Sequence, residues 1–270
     1  MKVEVTAERG LNVRACAGVT CKRVGALPHG TVVDVLERRG VWGRIAAPVS
    51  GWIHTGYTRP VGDGDEQAWL PVDALDISHY QRRLSSAFWN GAVRPWMVIL
   101  KATQGLRILD PRFGERWARL RWENWRRGAY HFYEPDAPGL PQAKVFWNVV
   151  GTQPGEVLAL DFEWFPEGMA NATVVKGVRD FLAYLADKSG AAPLVYTSAY
   201  VWNRVIGETD WAQQYPLWVA HYTTAEQPML PAGWHSWALW QYGAAPWPGV
   251  SGKVDRNRVH RDFAEAYAER

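Results

Sequence analysis

Cysteine is almost absent from this chain, which holds only Cys16 and Cys21 among 270 residues. The pair is compatible with a small surface disulfide or with two free thiols, and we expect neither residue to be functional. Residues 68–270 contain no cysteine. A Cys/His peptidase is therefore excluded from that part of the chain, because such an enzyme needs a nucleophilic thiol.

Long apolar runs are absent as well. No stretch reaches the roughly 18 apolar residues that a membrane-spanning helix requires, so we expect no membrane span. The opening segment, MKVEVTAERG, lacks the apolar core of a signal peptide. A large excess of one charge is also missing, since the net charge is only +3. That balance does not indicate nucleic acid as a partner, although it is compatible with a negatively charged polymer.

Tryptophan, in contrast, is abundant, with 17 residues. Hydrophobic residues make up 47% of the chain and charged residues 21%, which is typical of a globular protein with one large or two modest domains. Large flat indole rings serve both in cores and in stacking on sugars. We expect most of them to pack in the core.

The pattern of turns and apolar residues changes near residue 60. Residues 1–60 carry short alternating stretches separated by Gly and Pro, which predicts a small all-β barrel. Residues 61–67 lose all apolar patterning, which indicates a linker. In residues 68–270, apolar runs alternate with helical patterns. The expected fold class is therefore α/β, with a small all-β barrel ahead of a TIM-like β/α barrel.

Eight apolar runs in the second part fit the strands of a closed barrel, and their alternation with helices predicts that the strands are parallel. These runs are residues 72–78, 96–103, 128–133, 157–164, 193–197, 216–222, 236–242 and 253–255. Helices are predicted over residues 111–127 and 171–188, the second with Asn171 as its N-cap. The first helix is rich in Arg and Trp. It is compatible with a grip on a polyanion, but we favour a solvated helix whose Trp stripe packs on the barrel.

Residues 157–164, VLALDFEW, form an apolar run that ends in two carboxylates, Asp161 and Glu163. Side chains two positions apart in a strand lie on the same face, with Cβ atoms about 7 Å apart. Such a pair suits hydrolysis of a glycosidic bond, which needs one carboxyl group as a general acid and a second carboxylate beside the reacting carbon. The segment is therefore interpreted as an active-site strand.

Several motifs in the second part occur in an order that resembles glycoside hydrolase family 25, the lysozymes that cut peptidoglycan. They lie at residues 75–81, 98–105, 110–113, 128–133, 160–163, 239–242 and 254–257. The sequence departs from the family pattern at Tyr80, where Trp is common, and at Gln104, where Glu is frequent. All four carboxylate positions of the family are present, so these departures concern substrate fit more than chemistry.

The first part resembles a bacterial SH3-like domain, through GLNVR at residues 10–14, GTVV at residues 30–33 and GWIH at residues 51–54. This resemblance implies a module that binds cell-wall peptide or glycan beside a hydrolase. The loop at residues 15–22 differs from the family pattern, so no ligand contact is carried over there.

The resemblance to family 25 implies four catalytic carboxyl groups. Glu163 is expected to be the general acid, with a pKa raised by partial burial and by the charge of Asp161, which stays ionised. Asp76 and Asp255 are expected to line the same cleft. Retention through the substrate's own N-acetyl group, oriented by Asp161, is favoured over inversion. Sugar contacts are expected from side chains near strand ends, with core packing as the alternative for each aromatic: Tyr130, Tyr133, Tyr196, Trp218, Tyr222 and Gln241.

We therefore expect a peptidoglycan hydrolase that cleaves the β-1,4 bond between N-acetylmuramic acid and N-acetylglucosamine. Two alternatives stay open: a non-catalytic wall-binding protein on a lysozyme scaffold, and a chitinase-like glycosidase. Against the second, Leu158 and Ala159 stand where a chitinase has acidic residues. A zinc amidase is not indicated, because the histidines are scattered without an HExxH-type pair. No metal and no cofactor are expected, and peptidoglycan is the expected partner.

Such an enzyme acts outside the cell, on the bacterial wall. Because no signal peptide is visible, we expect cytoplasmic synthesis followed by phage-type release or another export route. Nothing in the sequence bears on the oligomeric state, and a monomer is assumed.

Overall fold

The computed structural model describes residues 2–61, 68–151 and 155–268. The chain forms two compact units, Met1–Gln67 and Ala68–Arg270. Of the predicted linker, residues 61–67, only Val61 lies within the described residues, and it ends a strand.

The described part of the N-terminal unit consists of short strands, their turns and one 3-10 turn. The strands are β1 (Lys2–Val5), β2 (Leu11–Arg14), β3 (Arg23–Leu27), β4 (Val32–Asp34), β5 (Glu37–Arg39), β6 (Trp42–Ile45), β7 (Gly51–His54) and β8 (Thr58–Val61). They form one antiparallel sheet in the order β4-β1-β8 and a second in the order β3-β2-β7-β6-β5. Alternate aliphatic side chains turn inward, among them Val5, Val13, Ile45 and Ile53. The predicted small all-β fold is confirmed.

Both cysteines lie in the loop between β2 and β3 and form a disulfide, Cys16–Cys21. Arg14 closes the same loop, because its Nη1 donates to the carbonyl oxygen of Cys21 at 2.7 Å. Of the two alternatives that the sequence left open, the structure shows the bonded pair.

The C-terminal unit is a closed eight-stranded barrel with helices around it. Its strands are β9 (Ala74–Ile77), β10 (Val98–Gln104), β11 (Ile108–Leu109), β12 (Arg127–Phe132), β13 (Val157–Asp161), β14 (Leu194–Thr197), β15 (Leu217–Ala220), β16 (Leu239–Pro246) and β17 (Lys253–Val259). The short β11 pairs only with β10, and the other strands close the barrel, since β9 pairs with both β10 and β17. The helices are α1 (Ser86–Trp89), α2 (Phe113–Trp122), α3 (Gly139–Val150), α4 (Asn171–Ser189), α5 (Ala199–Val205) and α6 (Arg261–Ala268).

Strand alternation separates the apolar residues of the barrel into two clusters. Inside the barrel lie side chains such as Ile99, Ala159 and Leu239. Leu158 and Leu160 face the other way, into the larger cluster between the strands and the helices. The predicted barrel is thus confirmed, and its strands are buried on both faces, which explains their nearly continuous apolar runs.

One strand corrects the prediction of a wholly parallel barrel. Seven barrel strands run parallel, whereas β17 is antiparallel to both of its neighbours, β16 and β9. Only residues 247–252 separate β16 from β17, and so short a connection makes a hairpin instead of a crossover. The last strand also continues to Val259, beyond its predicted end.

Two helix predictions are corrected as well. Asn171 is the first residue of α4, and its N-cap is Ala170, which makes no side-chain cap hydrogen bond. The α2 helix is shorter than predicted. It ends at Trp122, and Arg127 is already the first residue of β12.

The favoured packing of the Trp stripe of α2 on the barrel holds for Trp117, which is buried, but not for Trp122, which is 90% exposed. Arg116 is also buried, and its Nη1 donates to the carbonyl oxygen of Ser78 at 2.8 Å. Within the described residues, no helix is both long and apolar enough to cross a membrane.

Candidate active site

Four carboxyl groups meet at one end of the barrel, where the parallel strands finish. Asp76 lies near the end of β9, Asp161 is the last residue of β13, and Glu163 follows two positions later. Asp255 comes from the beginning of β17, and because that strand is antiparallel to β9, its register places Asp255 opposite Asp76. The strand that departs from the predicted topology therefore brings the fourth carboxylate to the site.

These four residues line a cavity of about 320 Å³. The rest of its wall consists of predicted sugar contacts, namely Tyr130, Tyr196, Trp218, Tyr222 and Gln241. Most of the wall is rigid, since Trp218 and Tyr196 are buried and their rings pack edge to face at 4.8 Å between centroids. Tyr222 is the exception, with 57% of its surface exposed.

Tyr133 is not part of the cavity, which corrects its prediction as a sugar contact. It follows the last residue of β12 and belongs to the outward-facing row, buried between the barrel and the helices. Its ring packs against Phe162 and Phe181, with centroids 6.1 and 6.0 Å apart. Proximity to a strand end correctly predicted that Tyr130 lines the cavity. Tyr133 lies three positions later, so side-chain alternation places it on the other face.

A chain of hydrogen bonds holds Asp76 in place. Its Oδ2 accepts from Gln241 Nε2 at 3.1 Å and from Asn257 Nδ2 at 2.9 Å. Gln241 in turn accepts from the hydroxyl of Tyr196 at 2.9 Å, and Asn257 accepts from Trp218 Nε1 at 2.7 Å. The sequence analysis gave Asn257 no role. Asn257 could have been recognised from its position two residues after Asp255, which places both side chains on the same face of β17.

Burial raises the pKa of Asp76 to about 7, and the nearby charge of Asp255 adds to the effect. The two hydrogen bonds from Asn257 and Gln241 oppose the rise, since they stabilise the ionised carboxylate. A substantial fraction of Asp76 is therefore protonated near neutral pH.

Asp161 was expected to stay ionised, and its surroundings act against ionisation. Its side chain is buried, and its Oδ1 atom accepts no hydrogen bond from the described residues. Burial, followed by the charge of Glu163, raises its pKa well above the usual range, although Lys101 acts in the opposite direction. The free cavity therefore disfavours ionisation of Asp161 relative to an aspartate in water.

Glu163 stands at the mouth of the cavity with its side chain exposed to solvent. The protein packed around it nevertheless raises its pKa, while Lys101 and the hydroxyl of Tyr196 oppose the shift. That hydroxyl has one proton, which is donated to Gln241 in this structure. A reorientation of the same proton toward Glu163 would stabilise the ionised carboxylate after it has given up its own proton.

Lys101 is a second site residue to which the sequence analysis assigned no role. It is the cation in the otherwise uncharged strand VILKATQ, and that contrast was its signal. Its Nζ donates to Gln104 Oε1 at 2.7 Å, and burial lowers its pKa despite nearby carboxylates that include Asp161 and Glu163. Its charge moderates the repulsion among the carboxylates.

Asp255 is tied to the exposed tyrosine of the wall. The hydroxyl of Tyr222 donates to its Oδ1 at 2.7 Å. This hydrogen bond fixes the direction of an exposed ring at the mouth of the cavity. Among the described residues, no group of three or more His, Cys, Asp or Glu side chains is arranged to hold a metal ion.

The chain is similar to known proteins over both units. The model for glycosyl hydrolases family 25 matches residues 75–247, and the model for the bacterial SH3 domain matches residues 9–59. Lysozyme M1 of Streptomyces globisporus is 31% identical over 227 residues, which cover 78% of this chain and 74% of that protein.

Two further similarities concern the barrel. An N,O-diacetylmuramidase of Arthroderma benhamiae is 28% identical over 181 residues, which cover 63% of this chain and 76% of that protein. The crystal structure of the bacterial lysozyme from Streptomyces coelicolor matches with a TM-score of 0.66 and 30% identity, and the match covers 73% of this chain and 95% of that one.

The raised pKa of Asp76 predicts a specific dependence of stability on pH. Between its ordinary value of 3.8 and its folded value of about 7, the folded state binds more protons than the unfolded state. This carboxyl group therefore lowers the free energy of unfolding as pH rises through that range. Asp76→Asn removes the effect, so we expect the variant to gain up to about 4 kcal/mol over wild type at pH 7 and little near pH 4.

Urea unfolding of both proteins across this pH range measures the difference. Asp187→Asn, at a site where 76% of the side chain is exposed, is the matched control and should follow wild type. Parallel stability curves for wild type and Asp76→Asn would contradict the assignment of a raised pKa to this residue.

Proposed function

Because the chain belongs to glycosyl hydrolases family 25, we propose that its barrel cavity cleaves the β-1,4 bond between N-acetylmuramic acid and N-acetylglucosamine. The chain is a glycoside hydrolase of the lysozyme type that acts on peptidoglycan. One observation carries the assignment of the site: Asp76, Asp161, Glu163 and Asp255 converge in a single cavity. A scaffold that only bound the wall would have no use for carboxyl groups whose burial is unfavourable.

Glu163 acts as the general acid. It is the carboxyl group at the mouth of the cavity, where the glycosidic oxygen of a long polymer can reach it. Its raised pKa keeps the proton available at a pH where an ordinary glutamate has lost it. In the cleavage step the proton passes from Glu163 to the leaving oxygen while the bond from that oxygen to the sugar carbon breaks.

Asp161 receives the N-acetyl group of the substrate. Its buried Oδ1 lacks a donor from the described protein residues, and the N–H of an acetamido group supplies one. That hydrogen bond stabilises the ionised form and so lowers the pKa of Asp161 when substrate binds. The acetamido oxygen then attacks the sugar carbon from the side opposite the leaving group, and Asp161 stabilises the positive charge that develops on the acetamido group. This attack closes a five-membered oxazolinium ring on the sugar. Glu163, now ionised, takes a proton from a water molecule whose oxygen attacks the same carbon. The bond from that carbon to the acetamido oxygen breaks, which restores the acetamide and the proton on Glu163 and gives retention of configuration.

Asp76 and Asp255 line the cavity beside the sugar, where the ionised form of Asp76 adds negative potential, and the aromatic wall positions the sugar. Asn257 and Gln241 hold Asp76, so its carboxylate cannot turn away from the cavity. Among the aromatic residues, Tyr222 is the one exposed enough to stack on a sugar ring, and its bond to Asp255 sets its orientation.

The N-terminal unit holds the enzyme on the wall. Among the described residues of this unit, a groove of about 390 Å³ is lined by Arg14, Trp42, His54 and Tyr57 together with smaller residues. The three aromatic rings form a continuous row, with centroids 5.3 Å apart between Trp42 and His54 and 5.2 Å apart between His54 and Tyr57. A row of rings with an arginine in the same groove suits a peptide or glycan strand with an anionic group.

The protein acts on peptidoglycan outside the cytoplasmic membrane. It works as a monomer. A single chain carries both a wall-binding groove and a complete set of four carboxyl groups at its cavity.

Glu163→Gln keeps the size of the side chain and removes the acidic proton. We expect a loss of turnover of about 10²- to 10⁴-fold with wall binding retained, because a general acid contributes a factor of that order. Purified peptidoglycan is digested with each protein, the products are reduced, and mass spectrometry counts the reduced N-acetylmuramic acid ends. Glu167→Gln, which changes an exposed glutamate four positions away, should behave as wild type. Full activity of Glu163→Gln would show that another group donates the proton.

Tyr57→Ala tests the wall-binding groove. The ring is 56% exposed, so its removal should leave the fold intact while weakening binding to peptidoglycan by about threefold to tenfold. The parent protein, the Tyr57→Ala variant and the control all carry Glu163→Gln so that the wall is not cut. Sedimentation with purified peptidoglycan measures their binding. Val32→Ala, at a 47% exposed position outside the groove, is the control. Equal sedimentation of all three proteins would place the wall contact elsewhere.

A further inference from the structure

A second cavity lies in the C-terminal unit at the end of the barrel away from the carboxyl groups. Its volume is about 540 Å³, and most of its charge comes from arginine. The residues that matter here are Arg94, Arg121, Arg126, Arg127, Trp96 and Trp125. Arg121 lies in α2, and the others belong to the segments that enter the barrel strands, since β10 begins at Val98 and β12 at Arg127. We name this cavity the arginine cleft.

One carboxylate lines the arginine cleft, and two of the guanidinium groups already contact it. Arg127 is buried and forms an ion pair with Glu156, and it also donates to the carbonyl oxygen of Trp117. Arg121 reaches the same carboxylate, with Nη2 to Oε1 at 3.3 Å. The cleft is lined by four arginines and one acidic residue, so it carries a clear excess of positive charge.

Arg94 and Arg126 carry that excess. Arg94 lies over the ring of Trp125 at 5.0 Å, and Arg126 lies over the ring of Trp96 at 5.4 Å. Neither forms an ion pair with a carboxylate of the described residues. A guanidinium that stacks on an indole engages its face and leaves its in-plane N–H groups available. The two indoles therefore hold two cations in place with their donors free to bind an anion.

We propose that the arginine cleft binds a phosphodiester polymer of the bacterial wall, a chain of polyol or sugar units joined by phosphates. A phosphate offers oxygens in the geometry that the guanidinium fork accepts by two hydrogen bonds. The indole edges and the cleft volume suit the C–H surface of the polyol or sugar between two phosphates.

The arginine cleft lies at the opposite end of the barrel from the catalytic cavity. The catalytic cavity stands at the opposite ends of the same parallel strands, so a phosphodiester chain in the cleft does not compete with the glycan. The barrel would thereby hold the wall on one end while cutting it on the other. The basic segment at residues 112–127, for which the sequence left two interpretations, contributes Arg121, Arg126 and Arg127 to this site.

Binding of a fluorescent glycerol-phosphate oligomer to the full chain, followed by anisotropy, tests the proposal. R94Q/R126Q removes both stacked cations at exposed positions. R179Q/K188Q is the matched control, since these two exposed cations of α4 also lie over aromatic rings, Trp211 and Tyr184. We expect R94Q/R126Q to weaken binding about tenfold or more and the control to change it less than about twofold. Hydrolysis of wall fragments free of phosphodiester polymer should be equal in all three proteins.

Three outcomes would overturn the proposal. Absence of binding by wild type is one, and equal weakening by both double variants is another, because the second would show attraction by net charge alone. The third is competition by polyglutamate or inorganic phosphate as strong as that of unlabelled oligomer at equal charge. Each concerns binding to the cleft alone, so none depends on whether Glu163 is the general acid.

Discussion

The structure depends on one electrostatic constraint: several carboxyl groups of like charge are held in a small, mostly buried cavity. Burial of Asp76 and Asp161 is unfavourable while both are ionised. Because the fold keeps both side chains buried, their pKa values are raised. Lys101 and the amides of Asn257 and Gln241 limit the repulsion without removing it. The same surroundings raise the pKa of Glu163, and this keeps a proton available for acid-catalysed glycoside cleavage.

Such a site needs a backbone that holds the carboxyl groups in place against their mutual repulsion. The barrel provides it through apolar clusters on both faces of its strands, so the backbone that carries the carboxyl groups is packed from inside and outside. Its closure by the antiparallel β17 is also a functional feature, since this strand delivers both Asp255 and Asn257. At the opposite end, the buried pair of Arg127 and Glu156 joins two neighbouring strand entries.

The sequence was sufficient for the two-part α/β architecture, because strand and helix periodicity are local signals. The convergence of the four carboxyl groups was implied by the resemblance to family 25. The sequence failed where tertiary context decides. The error at Tyr133 was of another kind, since Tyr130 and Tyr133 are three positions apart and side-chain alternation along the predicted strand already separates their faces. The ionised state predicted for Asp161 overlooked its burial, which depends on side chains from distant strands. Lys101 was visible as a lone cation, but its partners lie elsewhere in the chain.

The central claim is that the cavity keeps protons on carboxyl groups that would lose them in water. Carbon-13 NMR of protein labelled at the Asp and Glu carboxyl carbons follows each group directly, with Asp76→Asn and Asp161→Asn used for assignment. The account predicts that Asp76 titrates with a midpoint of about 7 and that Asp161 stays protonated well above the usual range. If both residues instead titrated near pH 4, as ordinary aspartates do, burial would not control this site and the account would be contradicted.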